Sequence, residues 1–212
     1  MRNADILRNR QFQFPQNHLL PRPARRNYLQ FKGAEMASSS NAKFGKDWTY
    51  KIYFDSEADR TYAGKNYEID HEYLIDDLSS RVYKEEKITR VHAYKHRLSA
   101  VQITDYVLHH MYVIFETQRS YWSIEKNSSG ITIQRSQYLD AVLKRYRQSN
   151  RVRGMTLVAT DNGRRGIFDL IKWLHDSQEL KKEYNVLSSN CQQFAKAVFD
   201  YVAETKTLQI AT

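Results

Sequence analysis

From Val107 to Gln134 the chain alternates between runs of β-branched and aromatic residues and short polar turns. Val107 to Thr117, Tyr121 to Lys126 and Gly130 to Gln134 read as three strands, because such residues suit a half-buried pleated surface. The connections Gln118-Arg119-Ser120 and Asn127-Ser128-Ser129-Gly130 are turns rich in polar residues, which makes the three strands a small antiparallel meander. Any fold for this chain has to be built around that sheet.

The flanking segments add helices and further strands. Trp48-Thr49-Tyr50-Lys51-Ile52-Tyr53-Phe54 alternates and reads as a strand ending at Asp55-Ser56-Glu57, Tyr67 to Leu78 as a helix, and Lys87 to Tyr94 as another strand. Ser136 begins a helical stretch with Tyr138, Leu139, Val142, Leu143 and Tyr146 on one face. Met155 to Ala159 reads as a strand closed by Asp161-Asn162-Gly163, and Ile167, Leu170, Ile171 and Leu174 place a helix over about Arg165 to Glu183. The expected fold class is α+β, with an antiparallel sheet and packed helices in a domain over residues 47–204, flanked by an N-terminal tail of residues 1–46 and a C-terminal tail of residues 205–212.

Composition bounds the function. With 212 residues, 41% apolar and 13% aromatic, the chain suits one globular domain with tails. No stretch approaches the roughly 18 apolar residues of a spanning helix, and the N-terminus lacks a secretory apolar block, so neither spanning nor ordinary secretion is expected. The single cysteine, Cys191, forms no internal disulfide and no zinc site of several thiolates, which favours a cytoplasmic, reducing compartment. No metal and no organic cofactor is expected: Asp105 and Glu116 flank the histidine-bearing strand, but no carboxylate pair has a metal or acid/base spacing. The net charge of +9 is uneven. Nine Lys/Arg against two acids, all three prolines and Ser38-Ser39-Ser40-Asn41 fall in the first 46 residues, which read as a flexible basic leader. Such leaders are solvated, meet anionic membrane or nucleic acid, or direct a chain to an organelle.

The last helix carries the chemistry. Ser188-Ser189-Asn190 supplies N-cap residues, and Phe194, Ala195, Val198 and Val202 form one stripe with Cys191 in its first turn. A thiol there meets the positive end of the helix dipole, and the free backbone N–H groups stabilise both a thiolate and a developing oxyanion. A lone cysteine on an apolar helix face is most often just a small buried hydrophobe, so the nucleophile reading needs a base. Among seven histidines, His109 and His110 open the strand His110 to Phe115, where an imidazole is held more firmly than on a loop. Which of the two is the base stays open, with His110 preferred.

Tyr184-Asn185-Val186-Leu187-Ser188-Ser189-Asn190-Cys191-Gln192-Gln193-Phe194 resembles the NC motif of the lecithin:retinol acyltransferase-like family, in which a tyrosine precedes an Asn-Cys-polar-polar-Phe helix start. His110 on its alternating strand is similar to that family's upstream histidine box. The order of strand His and later helix-start Cys resembles the permuted papain-like fold shared with NlpC-type peptidases and PPPDE isopeptidases. The likeness covers about Tyr106 to Val202. It implies Cys191 as the nucleophile forming a thioester, His110 as its base and the Cys191 amide in an oxyanion hole. Many members of the family carry a second histidine on the next strand, where this chain has Tyr121-Trp122-Ser123. Ser123, Glu125 or Gln134 is then left to orient His110, with Gln134 preferred.

The expected activity is acyl transfer or hydrolysis at a lipid or other acyl ester, the basic leader favouring an anionic membrane surface. Gly130-Ile131 after a Tyr-Trp strand is similar to the Gly-Ile turn of the PPPDE isopeptidases, so a ubiquitin-like peptidase is the alternative. Tyr121 and Trp122, beside the histidine strand, are candidates for the wall of an acyl or peptide pocket, against the plainer reading of core aromatics. Two further classes remain: a non-catalytic interaction module of the same fold, and a nucleic-acid binder using Lys144, Arg145, Arg147, Arg151, Arg153, Arg164 and Arg165.

Overall fold

A computed structural model describes residues 47–59, 66–97, 109–147, 149–151, 154–185 and 189–210. All lie in the compact unit Asn41–Thr212. The leader reading, Arg153, and Val107 and Leu108 fall outside the described residues. The strands are β1 (Lys51–Asp55), β2 (Asn66–Asp70), β3 (Ile88–Arg97), β4 (His109–Thr117), β5 (Tyr121–Asn127), β6 (Gly130–Ser136), β7 (Arg145–Tyr146), β8 (Ser149–Asn150) and β9 (Thr156–Asn162). The helices are α1 (Leu139–Lys144), α2 (Ile167–Asp176) and α3 (Cys191–Val202).

Seven strands form one sheet in the order β2-β1-β6-β5-β4-β3-β9, antiparallel except for the parallel pair β1 and β6, while β7 and β8 make a separate two-stranded hairpin. The class is therefore α+β. The expected meander is the centre, β4-β5-β6, with Ile114 opposite Ser123 and Ser123 opposite Gln134. Its tighter turn needs Gly130, whose φ is 153° and whose added Cβ would lie 2.7 Å from the Lys51 carbonyl oxygen.

Tyr67 to Leu78, expected as a helix, divides instead into β2, a 3-10 turn His71–Tyr73 and a π-helical turn Leu74–Leu78. Pairing of Ile69 with Ile52 and of Tyr67 with Phe54 outweighs the helical spacing, and only Leu74 and Leu78 keep it as a buried pair. The helix after Asn162 is also shorter than expected, since Gln178 turns left-handed at φ 54° just beyond α2. Residues 205–208, set apart as tail by sequence, dock on the domain: Asp161 accepts from the backbone N–H groups of Thr205 and Lys206, and Leu208 is buried in the core.

The alternation of side chains divides the sheet into two faces. On one, Val113, Phe115, Ile124 and Ile133 join Leu170 and Leu174 of α2 and Phe194, Val198 and Phe199 of α3 in the main core. On the other, Tyr112 and Ile114 pack with Ala58 and with Val142 of α1. Among the described residues no helix is long and apolar enough to cross a membrane.

Candidate active site

The site forms where β4 loses a neighbour. β4 pairs with β3 down to His109, but its pairing with β5 stops at Val113 opposite Ile124. Residues 110–112 thus keep one ladder and leave the other side open. The N-terminus of α3 meets that opening. Asn190 caps the helix, its Oδ1 accepting from the N–H groups of Gln192 at 2.9 Å and Gln193 at 3.0 Å, while Gln193 Oε1 accepts from the Asn190 N–H at 3.2 Å. This capping box sets Cys191 as the first helical residue, with 4% exposure.

Four groups surround the sulfur. The His110 ring, the N–H of Met111 and the side chain of Tyr184 act on the Cys191 sulfur to lower its pKa, and in its thiol form Cys191 donates to the His109 carbonyl at 3.8 Å. His109 therefore meets the sulfur through its backbone, and His110 supplies the ring. His110 Nε2 is 2.7 Å from Glu125 Oε2, so Nδ1 is the nitrogen left for the sulfur. Glu125 accepts in turn from Arg151, Nη1 reaching Oε2 at 3.0 Å and Nη2 reaching Oε1. The Tyr184 hydroxyl, which meets the sulfur, also accepts from the Cys191 backbone N–H.

The electrostatics favour an ion pair. Burial pushes the thiol up, but the hydrogen bond and charge of His110, with Met111 and Tyr184, bring it below its ordinary value. Burial likewise opposes the charged form of His110, yet hydrogen bonds to Cys191 and Glu125 raise the ring to about 9. Glu125, although fully desolvated, is held down at about 2 by Arg151 and His110. Tyr184 is pushed up by burial and by the sulfur, so it remains a donor. With the thiol lowered, the ring raised and its far nitrogen on a carboxylate, the arrangement favours a thiolate beside an imidazolium. Such a pairing is the kind that thiol nucleophiles use.

The other expected site residues lie elsewhere. Gln134 does not reach His110: it stands opposite Ser123, which stands opposite Ile114, four residues and about 13 Å along the strand from His110. Glu125 takes the orienting place instead. The register could have shown this, because β4 and β5 folded about the turn at Gln118–Ser120 bring Glu125, not Gln134, to the His110 end. Trp122 faces the helices, stacked on Phe54 with centroids 5.8 Å apart and donating to Glu86 at 2.9 Å, so it packs the core and lines no wall at Cys191. Tyr121 packs beside Tyr112 and Ile114, and Ser123 is buried in mid-sheet. Sequence reasoning missed Arg151, for which no local pattern exists, and Tyr184 as a contact of the sulfur.

Of the basic cluster, Arg151 is buried, Arg147 donates to Thr132 and lies over Tyr53, Arg164 donates to the carbonyls of Asp200 and Tyr201, and Lys144 pairs with Asp140. Lys126, also buried, donates to the Lys182 carbonyl at 2.6 Å and to Ser189 Oγ at 2.8 Å, tying down the approach to Cys191. Its ammonium is brought down to about 8 by burial. Comparison with known proteins gives no match: no family model, no curated protein and no solved structure matches the chain.

Proposed function

We propose that this chain is a thiol enzyme of permuted papain-like, NlpC-type architecture that works through a thioester on Cys191. The carrying observation is the Cys191–His110–Glu125 line at the start of α3, with the ring raised to about 9 and the thiol depressed. Attack of the thiolate on a carbonyl carbon forms the C–S bond and moves the carbonyl π electrons to oxygen. The donors that face the sulfur, the Met111 N–H and the Tyr184 hydroxyl, are the candidates to meet that oxyanion. As it collapses, the His110 imidazolium protonates the departing alkoxide or amine and a thioester remains. An incoming alcohol or water loses its proton to His110, attacks the thioester and releases the Cys191 thiolate.

The substrate class we favour is a lipid or other acyl ester. Its support is the resemblance of Tyr184 to Phe194 to the acyltransferase-like NC motif, together with a basic leader suited to an anionic membrane surface. Full-length protein incubated with anionic phospholipid vesicles, and separately with ubiquitin-like fusions, tests this against Cys191→Ser. Release or transfer of fatty acyl groups by the native protein alone supports acyl chemistry. Cleavage of the fusions alone replaces it with isopeptidase activity, and silence on both favours an interaction module.

A further inference from the structure

Resting on the thiol reading above, we infer that Arg151 is a positioning residue that keeps Cys191 and His110 as a charged pair by balancing the buried carboxylate of Glu125. The geometry is a bidentate fork. Both guanidinium Nη atoms meet the two Glu125 oxygens, and both side chains are almost wholly buried, at 1% and 2% exposure. Arg151 reaches this place from outside the sheet. It follows the β7–β8 hairpin, its N–H donates to the Lys144 carbonyl at 2.7 Å, and its guanidinium lies 3.9 Å above the Tyr112 ring.

Charge counting gives the role. Cys191 thiolate, His110 imidazolium, Glu125 carboxylate and Arg151 guanidinium alternate in sign along one line and sum to zero. The neighbouring Tyr112, Tyr146 and Tyr184 are all raised and stay neutral, so they leave the sum unchanged. His96, whose ring centroid is 5.3 Å from that of His110, is the other imidazole at the site and is kept in every variant below. Without Arg151 the same line would carry one net negative charge in a dry site. A buried excess charge is removed by protonation, and the thiolate is the most basic anion there. Arg151 thus acts on the sulfur through Glu125 and His110 without touching it.

The test follows iodoacetamide alkylation of Cys191 against pH in the full chain, the S–C bond forming as iodide leaves. In Arg151→Met the rate at pH 6 should drop about tenfold or more and climb as pH rises, as expected once the thiol pKa moves well above the pH of the assay. Glu125→Gln/Arg151→Met removes both charges while the Gln carbonyl still accepts from His110, and should recover to within about threefold of the native rate. Arg151→Lys, which keeps the charge and loses the fork, should lie between. A native rate in Arg151→Met, or a double variant no faster than that single one, overturns the inference. If Arg151→Met does not fold by circular dichroism, the double variant decides: near-native alkylation supports charge balance and slow alkylation contradicts it. Slow alkylation of the native protein at pH 6 would instead remove the thiol reading itself.

Discussion

Two regions of the central sheet are held by different physics: the core under α2 and α3, and the charged end of β4 on the opposite face. Against α2 and α3, Val113, Phe115 and Ile124 meet Leu170, Val198 and Phe199, and the stabilisation is apolar area removed from water, at ~25 cal/mol per Å². On the opposite face the start of β4 and the middle of β5 hold His110 and Glu125, with Arg151 laid over them. Apolar contacts weaken one at a time, whereas buried charges stabilise only as a set, because removing one strands its partner. The comparison separates what keeps the domain folded from what sets the charges around its thiol.

The largest expected losses break each face once. Phe199→Ala empties a fully buried ring position and should cost ~3–5 kcal/mol in urea unfolding. Glu125→Ala leaves Arg151 unpaired and should cost ~3–5 kcal/mol. pH then tells them apart. His110 is raised to about 9, so its contribution is whole below its ordinary value near 6.5 and fades as pH rises through about 9. Glu125 is depressed to about 2, so its contribution is present above about 4.5 and fades as pH falls through about 2. The difference between native protein and Glu125→Ala should therefore shrink from pH 7 to pH 10, while that between native protein and Phe199→Ala stays constant. Equal behaviour of the two variants would erase the distinction.

Smaller effects sharpen it. Gly130→Ala, forced to a positive φ against the Lys51 carbonyl, should lose ~1–3 kcal/mol and act on both faces, since the turn joins β5 to β6. Asn190→Ala should lose ~1 kcal/mol in stability by thermal denaturation. It should also slow Cys191 alkylation, because the cap fixes the helix start that carries the sulfur. A cap loss without a change in alkylation would show that β4, not the helix, sets the thiol.

The same division explains what the sequence revealed. Periodicity reports apolar burial, so the meander, the α2 and α3 stripes and the Asn190 cap were legible in Val113, Ile124, Leu170 and Phe194. His110 and Cys191 were legible because a strand start and a helix start are marked locally. Tyr67 to Leu78 misled because strand pairing with Ile52 and Phe54 overrode its spacing. Glu125 was visible only through register, and preferring Gln134 ignored how far each strand runs from its turn. Arg151 has no local signature: it lies 26 residues beyond Glu125, and only the hairpin of β7 and β8 leads it back. Charged pairs with long sequence separation leave no period to read.

The central claim is that His110 holds Cys191 as a thiolate, and the pH profile of alkylation in native protein and His110→Ala tests it most directly. Cys191 is the only cysteine in the chain, so no other thiol contributes. The account predicts a native rate that is already high at pH 6 and flat to about pH 9, and a His110→Ala rate that rises only around the ordinary cysteine value near 8.5. Superimposable profiles, both rising near pH 8.5, would contradict it.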